Sequence, residues 1–188
     1  MRHSDHVTEV HGVRDAGPDS TVRRLAILRH AKSAWPDGVP DHDRPLGPRG
    51  LRDAPAAGRL LARSFDVPDL VLCSPARRTR ETWDLAAAEL DRMPPVRHDP
   101  SLYAADAQDL LDVVREVPPE VGTLLLVGHN PGLEDLVLLA AGAAAGDALE
   151  RVRTKFPTSA VAVLTLQGPW SHLGPGTALL TDFAVPRG

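Results

Sequence analysis

Three short segments hold the chain's most reactive polar side chains, each where an apolar run gives way to a polar one. They are Arg29 and His30 in LAILRHAKS, Ser74 and Arg77 in VLCSPARRTRET, and His129 and Asn130 in LLLVGHNPG. Two histidines and at least two arginines brought to one place suit phosphoryl transfer. A phosphoryl group in transit spreads its charge over three equatorial oxygens, so catalysis is chiefly positioning and electrostatic stabilisation. The arginine fork binds phosphate oxygens in pairs and stays charged at any working pH, which makes Arg29 and Arg77 candidate clamps. A neutral imidazole is a nucleophile that can hold a phosphoryl group covalently, and surrounding cations help to keep it unprotonated; His30 fits that role. His129 is the candidate donor to the same oxygens from the opposite side. Against these stand plainer readings: a hydrogen-bonded loop histidine for His30, a satisfied core or turn histidine for His129.

The setting favours the first set. The Arg-His dipeptide occurs three times, at Arg2-His3, Arg29-His30 and Arg97-His98, but only Arg29-His30 ends a clean apolar run. Around it the pattern alternates between strands and helices. Leu25 to Leu28 reads as a buried strand, and Gly47 to Arg63 has helical spacing through Leu51, Ala54, Leu60 and Leu61 despite Pro55 and Gly58. Asp69 to Cys73 is a second strand, followed by a helix for which Ser74 is the expected N-cap with Pro75 at N1. A short strand at Val96 to His98, a helix at Asp106 to Val117, a strand at Thr123 to Val127 and a helix at Pro131 to Ala141 come next. Two further strands are expected at Ala160 to Leu166 and Thr177 to Phe183, and no element is assigned between 142 and 159. Such alternation argues for an α/β fold with a mostly parallel sheet covered on both faces. In these sheets ligands bind beyond the carboxyl ends of the strands, where all three reactive segments lie.

Bulk properties narrow the partners. With 188 residues, 43% of them apolar, the chain can bury the core of one domain, expected over 23–188, after an N-terminal extension over 1–22 that is polar and without periodicity. A formal charge of -4 gives no general attraction to nucleic acid or to an anionic membrane. Only Lys32 and Lys155 are lysines, so arginine is the common cation and most arginines read as solvated surface. Cys73 is the single cysteine, which excludes an internal disulfide and a multi-cysteine zinc site. No apolar run reaches the roughly 20 residues of a membrane span, and the start lacks the apolar core of a secretory signal; a cytoplasmic protein is expected. The histidines at positions 3, 6 and 11 read as part of a solvated tail rather than a metal site, and neither metal nor cofactor is expected.

Taken together, LRHAKS, SPARRTRETW and VGHNPG resemble the histidine phosphatase superfamily, and DHDRPLGPRG at Asp41 to Gly50, Leu102-Tyr103 and FPTSA at Phe156 to Ala160 extend the likeness to its SixA-type phosphohistidine phosphatases. The resemblance runs from residue 25 to about 183. It implies a three-layer αβα sandwich, His30 as a nucleophile that is phosphorylated and then hydrolysed, Arg29 and Arg77 as phosphate-pocket arginines, and His129 as the second pocket histidine. Arg44, in DRPL, and Ser33 are weaker candidates for substrate contacts; a surface role beside a helix serves Arg44 equally well. Arg78 and Arg80 read as solvated neighbours of Arg77.

Larger members of the superfamily carry an acid that protonates the leaving oxygen. Here Asp41, Asp43 and Glu81 are possible by their order along the chain, and none matches. An imidazole leaving group needs less proton assistance than an alkoxide, so this mildly favours a phosphohistidine protein as partner over a small phosphorylated metabolite. Competing classes are a mutase, disfavoured by the short chain; a noncatalytic phosphate-binding module, disfavoured because the candidate nucleophile is present; and a metallohydrolase, disfavoured by the lack of any H-x-x-x-H spacing.

Overall fold

β1 forms where apolar side chains run uninterrupted, and it extends further than the apolar run itself, over Val22–Arg29. The computed structural model describes residues 21–188, so the expected N-terminal extension lies outside the described residues up to residue 20, and Val22 is already sheet. The elements that follow are α1 (Pro48–Ser64), β2 (Leu70–Cys73), α2 (Arg77–Ala87), β3 (Val96–His98), α3 (Ala107–Arg115), β4 (Thr123–Gly128), α4 (Gly132–Ala140), β5 (Ala141–Ala144), α5 (Ala148–Thr154), β6 (Val161–Gln167) and β7 (Ala178–Ala184). The seven strands form one sheet in the order β3-β2-β4-β1-β6-β7-β5. Only β6 runs against its neighbours, so the sheet is mostly parallel.

Because side chains alternate across a strand, each central strand feeds two cores. Leu25 and Ile27 of β1 face the layer made by α3, α4 and α5, whereas Ala26 and Leu28 face α1 and α2. Leu124 and Leu126 against Leu125 and Val127 divide β4 in the same way. The result is a three-layer α/β/α arrangement. Among the described residues no helix is long and apolar enough to cross a membrane.

α1 departs from the sequence expectation in one respect. Its inward face is Ala54, Ala57, Gly58 and Leu61, and Leu51, read as part of the apolar stripe, points to solvent. Gly58 is there because α1 and α2 touch backbone to backbone: a Cβ at this position would lie 2.2 Å from the Ala86 carbonyl oxygen. Gly58→Ala should therefore force the two helices apart and destabilise the protein by about 1–3 kcal/mol, even though alanine is the better helix former. Urea unfolding of the variant checks this; an unchanged midpoint would mean that the helices are not in contact at Gly58.

β5 and α5 occupy the stretch in which the sequence pattern shows no element. β5 is an alanine-glycine edge strand whose pairing with β7 carries a bulge, and α5 is short, so neither has a periodic apolar signature of its own. The three reactive segments nevertheless converge. Arg29 at the end of β1 is in register with Gly128 at the end of β4, and Cys73 at the end of β2 with Val127.

Candidate active site

His30 is the first residue past β1 and sits almost wholly buried, its backbone N–H bonded to the Gly128 carbonyl. Its Nδ1 donates to the Ala31 carbonyl at 2.7 Å, and since a carbonyl can only accept, this contact fixes the proton on Nδ1 and leaves Nε2 with its lone pair free. Ala31 is itself held by its N–H on the Thr82 hydroxyl of α2. The ring of His129, from the loop after β4, lies 5.4 Å from that of His30, centroid to centroid. His129 Nε2 is 2.7 Å from the Ser74 hydroxyl, and Tyr103 packs edge-on against the other side of the ring. The Ser74 hydroxyl serves chiefly the site, accepting only a long 3.5 Å bond from the Ala76 N–H: α2 begins at Arg77 with Ala76 as its cap residue, contrary to the N-cap expected of Ser74.

Burial dominates the titration of both rings. Loss of water pushes His30 down to about 3, with His129, Arg78 and Arg29 lowering it further against the opposing bond to Ala31. Burial likewise lowers His129 to about 4, Arg78 adding to the effect and Asp41 opposing it. Both imidazoles are therefore neutral at pH 7. Each folded-state value is below the ordinary 6.5, so below pH 6.5 the unfolded chain binds more protons than the folded one. The stabilisation from keeping these rings neutral is complete above pH 6.5 and is lost as pH falls toward 3–4. Denaturant midpoints measured from pH 7 to pH 4 should fall less steeply for the double variant His30→Gln, His129→Gln than for wild type. Parallel slopes would contradict the burial of neutral rings.

Three arginines surround the histidines. Arg29, half-buried, donates from Nη1 to the Phe156 carbonyl, and burial lowers its pKa against the pull of Glu134. Arg44 is buried in the loop between β1 and α1, a loop pinned by a bridge between Ser33 and Leu46. Its Nε donates to the Ala34 carbonyl, Nη1 to Asp41 and Nη2 to the Ser33 hydroxyl, and its guanidinium lies 3.2 Å from the centroid of the Trp35 ring, which is 73% exposed. Arg78 is the third. It is buried, and both its Nη atoms donate to Asp41, one to the backbone carbonyl at 2.6 Å and one to the carboxylate at 3.0 Å.

Arg77, expected as a clamp, is not in this wall. Its side chain is half exposed and donates from Nε to Glu81 one turn along α2, a surface i, i+4 pair. The reason is helical phase. The buried face of α2 is Arg78, Thr79, Thr82, Trp83, Ala86 and Ala87, and stepping back by fours from Ala86 leads to Thr82 and Arg78, never to Arg77. Arg80 is exposed, as expected.

A cavity of about 170 Å³ is lined by His30, His129, Arg29, Arg44 and Arg78, with Ser33, Lys32, Trp35, Asn130 and Thr158 completing it. A second cavity of about 350 Å³ shares Arg78, His129 and Asn130 with the first and continues past Tyr103 toward Asp106 and Asp135. The first brings four positive side chains and two neutral imidazoles around a space suited to a phosphoryl group; the second leaves room for whatever that group is attached to. Asn130 donates from Nδ2 to both Glu134 and the Phe156 carbonyl, two acceptors that settle its amide orientation. The positions that the sequence left open as acids are now accounted for. Asp41 is held well below the usual carboxylate range, first by the Tyr103 hydroxyl and then by Arg44 and Arg78, so it stays ionised. Glu81 accepts from the Leu46 N–H and from Arg77, and Asp43 is exposed beside His42. Among the described residues no group of three or more histidine, cysteine or acidic side chains is arranged to hold a metal ion.

Arg78, read from the sequence as a solvated neighbour of Arg77, is instead buried in the cavity wall; Asp41 was read only as a possible acid, Tyr103 only as part of the family likeness, and Trp35 was passed over. Tyr103 and Asp41 lie within the segments that carry the family resemblance, and the i, i+3 spacing of Asp41 and Arg44 was a further signal.

Comparison with known proteins identifies the family to which this fold belongs. The sequence profile of the histidine phosphatase superfamily (branch 1) matches residues 25–165, a span that contains His30, Arg78 and His129. An uncharacterized protein of Mycobacterium tuberculosis is 45% identical over 162 residues, which is 85% of this chain and 100% of that protein. Among solved structures, a candidate SixA phosphohistidine phosphatase from Nakamurella multipartitia superposes with a TM-score of 0.79 at 32% identity, covering 90% of this chain and 98% of that one. One of the same description from Agrobacterium tumefaciens gives a TM-score of 0.72 at 31% identity over 87% and 98% of the two chains. The chain thus belongs to the histidine phosphatase superfamily, within it to the SixA type, and is a phosphatase.

Proposed function

We propose that this phosphatase works through a covalent phosphohistidine at His30 and that its substrate is a phosphohistidine carried by another protein. The observation that carries the first part is the Nδ1 bond to Ala31, which leaves a neutral, unprotonated Nε2 in a cavity walled by Arg29, Arg44 and Arg78. In the first step the Nε2 lone pair forms a bond to phosphorus while the bond from phosphorus to the leaving group breaks, the leaving group keeping the electron pair and taking a proton. In the second step water attacks phosphorus, the P–N bond breaks, and inorganic phosphate leaves a neutral His30 behind. The three arginines balance the charge on the equatorial oxygens in both steps, Ser33 orients Arg44, and His129 gives a hydrogen bond from the opposite wall; its Nδ1 is buried and without a partner among the described residues.

The nature of the leaving group supports the second part. Among the described residues no carboxyl lines the smaller cavity around His30; Asp41, in the adjoining cavity, is ionised, and Glu81 accepts from the Leu46 N–H and from Arg77. An alkoxide leaves poorly without an acid, whereas an imidazole nitrogen is basic enough to acquire its proton before the P–N bond breaks. The Nakamurella and Agrobacterium proteins are themselves described as candidate phosphohistidine phosphatases, which agrees with this reading. The working unit on this proposal is one domain, its sheet beginning at Val22 rather than after an extension over 1–22, that meets its phosphorylated partner in the cytoplasm.

The test offers the purified protein a labelled phosphohistidine protein and a labelled alkyl phosphate at equal concentration. Phosphate should be released from the phosphohistidine protein with a kcat/KM at least on the order of 10²-fold higher, because only the alkyl phosphate needs an acid that the cavity lacks. Faster release from the alkyl phosphate would move the substrate to small phosphorylated metabolites.

A further inference from the structure

Asp41 is where the two sides of the arginine wall meet. Its Oδ1 accepts from Arg44 Nη1 at 2.7 Å, and its Oδ2 from Arg78 Nη2 at 3.0 Å and from the Tyr103 hydroxyl at 2.7 Å. Its backbone carbonyl accepts from Arg78 Nη1 at 2.6 Å. The three donors come from separate parts of the chain: Arg44 from the loop before α1, Arg78 from α2, and Tyr103 from the segment between β3 and α3. We propose that Asp41 is the positioning residue of the phosphoryl cavity, holding the Arg44 and Arg78 forks side by side in its wall so that their remaining N–H groups are presented together to the transferring phosphoryl group. This inference rests on the reading of that cavity as the phosphoryl site.

The need for such a residue follows from charge. Arg44 and Arg78 have side chains only 8% exposed, and they share the cavity with Arg29 and Lys32. Like charges so little screened repel, and a carboxylate shared between two guanidiniums offsets that repulsion while fixing the angle between them. The donor count agrees. Arg44 commits Nε and one N–H of each Nη to Ala34, Asp41 and Ser33, and Arg78 commits one N–H of each Nη to Asp41. Two N–H groups of Arg44 and three of Arg78, Nε among them, remain for phosphate oxygens. Asp41 does not itself serve as an acid, since both its oxygens already accept hydrogen bonds. Nor is it a core residue: its side chain is half exposed and belongs to a short 3-10 turn with no buried residue. What it contributes is the placement of its partners.

Asp41→Asn separates this role from the alternatives. The amide keeps the shape and one acceptor but loses the charge and turns an NH2 group toward one guanidinium. Binding of inorganic phosphate, followed by calorimetry or as competitive inhibition, should weaken on the order of tenfold, and kcat/KM should fall at least as far. The fall should be the same for a substrate with a good leaving group and one with a poor leaving group, because positioning acts on the phosphoryl group that both share. A loss that grows with leaving-group basicity would make Asp41 a general acid and overturn the proposal. Unchanged phosphate affinity and rate in a folded Asp41→Asn protein would overturn it as well. Tyr103→Phe removes one anchor from Oδ2 and leaves both arginines in place, so it should shift phosphate affinity in the same direction by a smaller factor, and it stands in should Asp41→Asn fail to fold. No shift there would then count against the proposal. Wild type that releases no phosphate from any substrate would remove the phosphatase reading of the cavity, and this inference with it, a result distinguishable without any variant.

Discussion

His30→Ala is expected to reduce phosphate release by at least on the order of 10³-fold and to abolish the labelled enzyme intermediate. The covalent route requires a lone pair within bonding reach of phosphorus, and Nε2 of His30 has it because the bond from Nδ1–H to the Ala31 carbonyl keeps the ring's proton on Nδ1. The other candidate nucleophiles among the described residues are engaged or unreactive: His129 has its Nε2 on the Ser74 hydroxyl, the Ser33 hydroxyl accepts from Arg44, and Cys73, buried and raised to about 12, is not a thiolate at any working pH. A phosphoramidate is labile in acid, so the intermediate is to be trapped by quenching a reaction with labelled substrate in alkaline denaturant and following the label on the protein. Wild type should carry acid-labile label and His30→Ala none. The fold should survive, because the small side chain removes a buried ring that is neutral in the folded state and leaves no charge unpaired. If His30→Ala kept label and rate, the nucleophile would be elsewhere and the proposed mechanism wrong.

The second large effect distinguishes two adjacent arginines. Arg78→Ala should cost on the order of 10²–10³ in kcat/KM, since it removes a fork anchored by Asp41 in the wall of both cavities. Arg77→Ala should stay within a few-fold of wild type, because it removes only an exposed i, i+4 pair with Glu81. Truncating Arg78 also leaves Asp41 with one guanidinium fewer, so Arg78→Lys is the accompanying variant: the charge remains, the two-pronged geometry does not, and most of the rate should still be lost. Parallel kinetics of the three variants decide the matter. A large loss at Arg77 with a small one at Arg78 would restore the assignment made from the sequence motif and show that α2 is rotated in solution relative to the structure.

These two adjacent residues also show where sequence reading stops. That a strand end, a helix start and a second strand end would bring Arg29, His30 and His129 together followed from local pattern alone: clean apolar runs at 25–28 and 123–127, each followed directly by polar residues. The α1, α2, α3 and α4 helices were legible to within a few residues for the same reason, since periodicity and end signals are properties of neighbours in sequence. The expectation for Ser74 failed because its hydroxyl is shared: the imidazole 55 residues away holds it at 2.7 Å, the Ala76 N–H reaches it only at 3.5 Å, and the helix starts later, at Arg77.

By itself the sequence determined the α/β alternation and the strand ends just beyond which His30 and His129 stand, because each of these depends on contacts within a few residues. The tertiary structure decided which arginine of a pair faces the cavity, that Asp41 bridges Arg44 to Arg78 across 37 positions and Tyr103 across 62, and that both histidines lose water and stay neutral. The phase of a helix against a sheet, the burial of a ring and the sharing of one carboxylate by three donors are set by packing between distant segments, and no window along the chain contains them.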